Sequence, residues 1–308
     1  MTSSSRAFIP PGPEQVRGHL EHHGPVARDP WRAWLPLVLL AAALVISATV
    51  EAVWAGALPW VAIGTLLVLT TSRARRAQRL ARQLTQLQEL VMLRHYVPAL
   101  RLAWRSLPYM ASIPAFHGRT VAFLSYGLDQ VGAYDAAIVG YDYMIDRLPP
   151  AQLGSQQMRI ARSIAQLNNS QLADADLGLR SVRRQVAAGS VPPIQASLRF
   201  AALLQQVRTN HFVEAVEGAD TLQEELQPLG IEAGYGHALM ALACHMQQPG
   251  TGQPDDATAS SWWSKATMLL SPTMLTARFP ELREVANLYP PAPSLTSVLS
   301  PNHRGDSA

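Results

Sequence analysis

Three places in the chain gather residue types able to do chemistry. His19, His22 and His23 stand beside Glu21 near the N-terminus, and clustered imidazoles with a carboxylate are metal-ligand material. On a tail of Ser, Pro and Gly nothing fixes their geometry, so no metal site is assigned. His237, Cys244 and His245 form the second group, but two imidazoles eight residues apart on one straight helix stand too far apart for a single ion. They are read as core or surface side chains. Cys244 is the sole cysteine, which excludes an intrachain disulfide and a multi-cysteine zinc site. The third group, Glu214, Glu217, Asp220, Glu224 and Glu225, reads as a solvated helix face rather than a paired acid and base. The His-Glu-x-x-His, phosphate-loop and dinucleotide glycine signatures do not occur. The chain is therefore read as non-enzymatic, with no catalytic residue, cofactor or metal.

The elements that carry these residues begin with an apolar block. Of 308 residues 48% are hydrophobic and 15% charged, a low charge fraction for a soluble domain. The cause is local. Residues 34–71 contain a single ionisable side chain, Glu51. The stretch is long enough for two helices of roughly 20 residues, near 33–51 and 54–71. Glu51, Trp54, Gly56, Pro59 and Trp60 supply the turn, where interfacial tryptophans belong. The block starts too late and runs too long for a signal peptide; a hairpin dipping into one leaflet is the alternative. Arg6, Arg17, Arg28 and Arg32 precede it and Arg73, Arg75, Arg76, Arg79 and Arg82 follow it. Excess arginine on both flanks places both termini in the cytoplasm of a multi-pass protein of the inner membrane. The net charge of +3 arises mostly from the second flank, so nucleic acid is not the expected partner.

Residues 1–30 read as an unstructured tail, and 288–308 as another. In the basic neck, 72–97, Ala77, Leu80, Leu84, Leu87 and Val91 repeat at steps of three and four on one helix face. Two heptads make a short seam. It serves either weak self-association through Leu80, Leu84, Leu87 and Val91 or docking on the following domain, and docking is favoured.

From 98 to 287 helical patterns alternate with short turns. The clearest unit is residues 119–150, RTVAFLSYGLDQVGAYDAAIVGYDYMIDRLPP. Val121, Leu124, Ser125 and Leu128 lie on one face of a first helix. Gly132 falls in the turn, and Tyr134, Ala137 and Tyr141 begin and fill a second helix. Pro149 ends the unit. This pattern resembles a tetratricopeptide repeat. Weaker copies centre on Ala175, on Phe212 with Ala215, and on Ala259 with Trp263; the small residues Ala137, Ala175, Ala215 and Ala259 are spaced 38, 40 and 44. The fold class is thus all-α: an N-terminal transmembrane hairpin followed by a tetratricopeptide-like helical solenoid.

The resemblance implies protein or peptide binding on the surface of the first helices. In the clearest unit Arg119, Ala122, Tyr126, Asp129 and Gln130 would face the groove. The lysine and asparagine set that grips terminal carboxylates in one subtype is missing, since Ala122 and Tyr126 stand where it would begin. Trp262 is expected to lie against the C-terminal helix near Leu282. The functional expectation is a membrane-tethered scaffold for an unidentified protein partner, with a membrane-associated regulator or sensor that binds a ligand, and an enzyme whose site carries no recognised motif, as the alternatives.

Overall fold

The computed structural model describes residues 8–25, 58–149, 152–186, 191–247 and 256–290, with the isolated Val38, Ala41 and Val45. Among the described residues the secondary structure is helical and no strand occurs. The elements run α1 (Pro13–His22), α2 (Leu58–Met92), α3 (Tyr96–Met110), α4 (Pro114–Gln130), α5 (Tyr134–Ile145), α6 (Leu153–Asn168), α7 (Leu172–Gln185), α8 (Pro192–Arg208), α9 (Phe212–Glu217), α10 (Ala219–Leu226), α11 (Ala233–Met246), α12 (Asp256–Leu269), α13 (Pro272–Arg278) and α14 (Arg283–Leu288). Two compact units divide the chain, Met1–Gly140 and Tyr141–Ala308.

The turns reveal how the sequence builds hairpins. Arg94, Gly132, Ser170 and Asn210 all take positive φ, at successive separations of 38, 38 and 40 residues. The residue after each, His95, Ala133, Gln171 and His211, donates its N–H to the carbonyl five residues back at 2.8–2.9 Å. Arg94, Gly132, Ser170 and Asn210 themselves donate to the carbonyl three residues back. That pair of bonds is the Schellman ending, which satisfies the last carbonyls of a helix while the chain reverses. Glycine adopts the left-handed conformation freely and asparagine tolerates it; at Arg94 and Ser170 the two hydrogen bonds offset a penalty of about 1–2 kcal/mol. A second helix starts two residues later each time, with Tyr96, Tyr134, Leu172 and Phe212, and a buried alanine follows at Ala99, Ala137, Ala175 and Ala215.

One turn beyond three of those alanines stands a glycine: Gly140, Gly178 and Gly218. A Cβ at Gly178 would sit 2.5 Å from Ser163 Oγ, and a Cβ at Gly140 would strike Ser125 Oγ with Ser125 Cβ only 3.2 Å away. The helices therefore approach closely at these glycines, one turn beyond the fully buried Ala137 and Ala175. At Gly218 the vacated space holds the Arg199 guanidinium, and the second helix breaks there into α9 and α10.

In the first unit α2, α3 and α4 pack on one another. Leu80, Leu84, Leu87 and Val91 are buried there, so the neck seam docks within the chain, and α2 is the first helix of a hairpin like those that follow. In the second unit α6 packs on α7 and α8, α8 also on α9, α10 and α11, and α11 on α12. Every α11 residue from Ala233 to Cys244 is buried. Leu275, Phe279, Leu282 and Val285 of the short C-terminal elements are buried in the same core.

One expectation changes, and another lies largely outside the described residues. Residues 13–22, assigned to an unstructured tail, form α1, with Pro13 in its first turn and Val16 and Leu20 buried. Their spacing of four puts both on one face. Secondly, among the described residues no helix is long and apolar enough to cross a membrane. The expected span 33–51 lies outside the described residues apart from Val38, Ala41 and Val45, and the second enters them at Leu58. The apolar part of α2, 58–72, is about 22 Å long, against a hydrocarbon core of about 30 Å. Residues 291–308 also lie outside the described set.

Candidate functional site

The expected groove residues do not share one open face. Arg119 is exposed, and Ala122, Tyr126 and Gln130 are half-buried. Tyr126 meets Tyr96 edge-on, ring centroids 6.1 Å apart. Asp129 is only 5% exposed, and its Oδ2 accepts from Gln130 Nε2 at 3.3 Å. The 38-to-40-residue register explains this. Positions equivalent to Asp129 in the other hairpins are Val91, Leu167 and Val207, all buried; those equivalent to Ala122 are Leu84, Ile160 and Phe200. The positions of Asp129 and Ala122 are thus largely packed in these hairpins, whereas Arg119 and the equivalents of Tyr126 and Gln130 in the first hairpin, Gln88 and Met92, are exposed. Of the packing residues, Leu124, Leu128, Ala137, Tyr141, Ala175, Ala215, Ala259 and Trp263 are all buried, while Tyr134 and Phe212 are half-buried. Gly132 forms the turn with φ +81°.

The second unit contains a cleft of about 600 Å³ over α8. Pro192, Gln195, Leu198, Arg199 and Ala202 line its α8 side, Arg183 of α7 stands at one rim, and Glu224, Glu225 and Pro228 at the other. Arg199 holds the broken second helix together: its Nε donates to Glu225 Oε2 at 2.6 Å and its Nη2 to the Gly218 carbonyl at 2.9 Å. Thr221 Oγ1 donates to Glu225 Oε1 at 3.0 Å. The lining thus mixes the apolar Pro192, Leu198, Ala202 and Pro228 with two arginines and two glutamates, within the size range of small-ligand clefts. The sequence signal for it was the glycine at 218, which repeats Gly140 and Gly178, combined with an arginine in the preceding helix.

The chemistry-bearing clusters separate. His19 stacks flat on Trp104, centroids 4.0 Å apart, with Nε2 3.2 Å from the Trp104 carbonyl. Burial lowers its pKa, the Trp104 carbonyl raises it, and His23 and His22 lower it further. The ring of His23 lies 4.7 Å from that of His19 and 4.6 Å from that of His22. Among the described residues no group of three or more such side chains is placed to hold a metal ion. His237 is buried beside Trp262, centroids 5.4 Å apart, whereas His245 Nε2 faces Glu284 Oε1 at 3.7 Å. Burial depresses the pKa of His237, the Lys265 charge lowers it further, and a Lys265 backbone group partly offsets both. Cys244 is buried. Trp262 and Trp263 are both buried, and Lys265 Nζ lies 4.2 Å over the Trp262 ring. Glu214, Glu217, Asp220 and Glu224 are exposed, as a solvated face requires.

The other distinctive surface is α2 itself. Trp60, Val61, Ile63, Leu67, Val68 and Leu69 are exposed, on several sides of the helix. The same unbroken helix then carries five exposed arginines and, from Leu80, the buried seam. No protein-family model matches the chain, and no curated protein and no solved structure is significantly similar to it.

Proposed function

We propose that this chain is a membrane-tethered adaptor: a tetratricopeptide-like helical domain that holds a protein partner at the cytoplasmic face of the inner membrane, anchored by a two-span hairpin in residues 33–71. The observation that carries the reading is α2. Its first 15 residues expose apolar side chains on several sides, an arrangement water disfavours by about 25 cal/mol per Å² and a bilayer does not. Its last turns are the first helix of the repeat hairpins. The docking of α1 supports the even number of crossings. Val16 and Leu20 are buried, His19 lies on Trp104, and the Phe8 ring lies 5.3 Å from the Arg101 guanidinium. A segment before the apolar block thus packs on a helix beyond it, which requires both to share one side of any membrane. For the partner, the α8 cleft supplies a concave surface of suitable size.

The test has two readouts in cells. In a Cys244→Ala background, Ser4→Cys and Ser307→Cys are each treated with a membrane-impermeant maleimide in intact spheroplasts. Neither labels until lysis if the reading holds; opposite labelling of the two termini, or labelling of both from outside, sinks the tether as described. In parallel, a photo-activatable residue replaces Gln195 on the α8 side of the cleft. A discrete adduct with one other protein is expected, and its absence there, at position 183 and at position 224 would remove the adaptor reading.

A further inference from the structure

We propose that Arg73, Arg75, Arg76, Arg79 and Arg82 form a collar that binds the headgroups of anionic phospholipids in the leaflet on the domain's side; this rests on the membrane tether proposed above. All five side chains are exposed. None makes an ion pair among the described residues, where the bridges all involve other arginines or a histidine. α2 carries a single acidic residue, Glu89, nearly two turns beyond Arg82. The cluster has thus one sign and no internal partner to neutralise it.

Its placement along the helix matches a membrane surface. The exposed apolar stretch ends at Thr71 and the first arginine follows two residues later. From Arg73 to Arg82 the helix rises about 14 Å, which takes the collar through the headgroup layer and the first Debye length of about 8–10 Å beyond it. Helical periodicity sets the direction. Arg75, Arg79 and Arg82 lie on the side away from the buried seam of Leu80, Leu84, Leu87 and Val91, and Arg76 lies on its flank. Arg73 is in line with the seam but about two turns before Leu80, clear of the packed helices. No arginine is turned into the domain. Guanidinium groups bind phosphate through two parallel hydrogen bonds, and each basic residue at an anionic surface contributes roughly a fivefold gain in binding.

The experiment uses the full chain in detergent, mixed with equimolar phosphatidylglycerol and phosphatidylcholine of identical acyl chains, and counts retained lipids by native mass spectrometry. The comparison is the variant Arg73→Gln, Arg75→Gln, Arg76→Gln, Arg79→Gln, Arg82→Gln, its helix content checked by circular dichroism. The native chain is expected to retain phosphatidylglycerol over phosphatidylcholine by about tenfold or more, and the variant to retain the two about equally. Equal retention by the native chain overturns the collar and leaves the tether standing. Retention of neither lipid removes the tether and the collar with it. A preference that survives in the variant places the anion site elsewhere. A preference abolished by millimolar inorganic phosphate makes soluble phosphate, not the lipid, the ligand.

Discussion

At the scale of single residues, the helix crossings are set by the absence of one carbon atom. Ser163 Oγ donates to the Arg159 carbonyl at 3.0 Å and is thereby pinned toward Gly178. Gly178→Ala gains helix propensity of about 1 kcal/mol but forces an overlap typically costing 1–3 kcal/mol. A net destabilisation of about 1 kcal/mol is expected in urea unfolding. Ser163→Ala rescues it, because a Cβ at 178 would lie 3.8 Å from the Ser163 Cβ. At the equivalent pair, Ser125→Ala rescues Gly140→Ala only in part, since the Ser125 Cβ is itself 3.2 Å away. Full rescue at both pairs would contradict the reading. His237 makes a second residue-scale prediction. Its folded pKa is depressed by burial below 6.5, so the neutral ring favours the fold. That contribution is complete above pH 6.5 and is lost as pH falls through the depressed value. Between pH 7 and 5 the native chain should lose stability relative to His237→Gln, by at most about 1.4 kcal/mol per pH unit. Parallel pH profiles of the two would show that the ring does not titrate with unfolding.

At the scale of elements, α1 is the least anticipated. It is ten residues long, too short to persist alone in water, so its helicity depends on docking. Leu20→Ala should weaken that docking by about 2 kcal/mol or more. Trypsin cleavage after Arg17 should then run at least tenfold faster, read by mass spectrometry of the early peptides. An unchanged rate would mean that Val16 and His19 suffice to hold the helix. The broken helix α9–α10 is the other departure from regularity. There the Arg199 side chain, not a serine, would meet a Cβ at the glycine, Gly218, while the register equivalent of Ser125 and Ser163 is Leu203.

At the scale of the whole chain, the all-helical class and the hairpin order were legible because apolar positions recur at helical spacing and because Gly132, Pro149 and Pro272 mark boundaries. The register was legible in principle: Tyr96 with Ala99 repeats Tyr134 with Ala137 at 38 residues. The alanines from Ala137 onward showed it, but its first hairpin was missed because Arg94 does not announce a left-handed turn as glycine does. Which residues of α4 stay open was not legible, since neighbouring faces of a helix are only about 100° per residue apart, and sequence spacing alone does not say which neighbour covers a face. α1 was obscured by the Pro- and Gly-rich context around only two apolar anchors.

The uninterrupted course of α2 has a mechanical corollary. No glycine or proline occurs from Thr65 to Met92, and α2 runs as one helix over Leu58–Met92. Were the apolar end held in a bilayer, as proposed, no glycine or proline would supply a joint between it and Met92. A tilt of about 20°, ordinary for a membrane helix, would be carried rigidly along the roughly 30 Å from Ser72 to Met92 and would swing the far end by about 10 Å. Bilayer thickness would then steer the first hairpin as a lever steers its load.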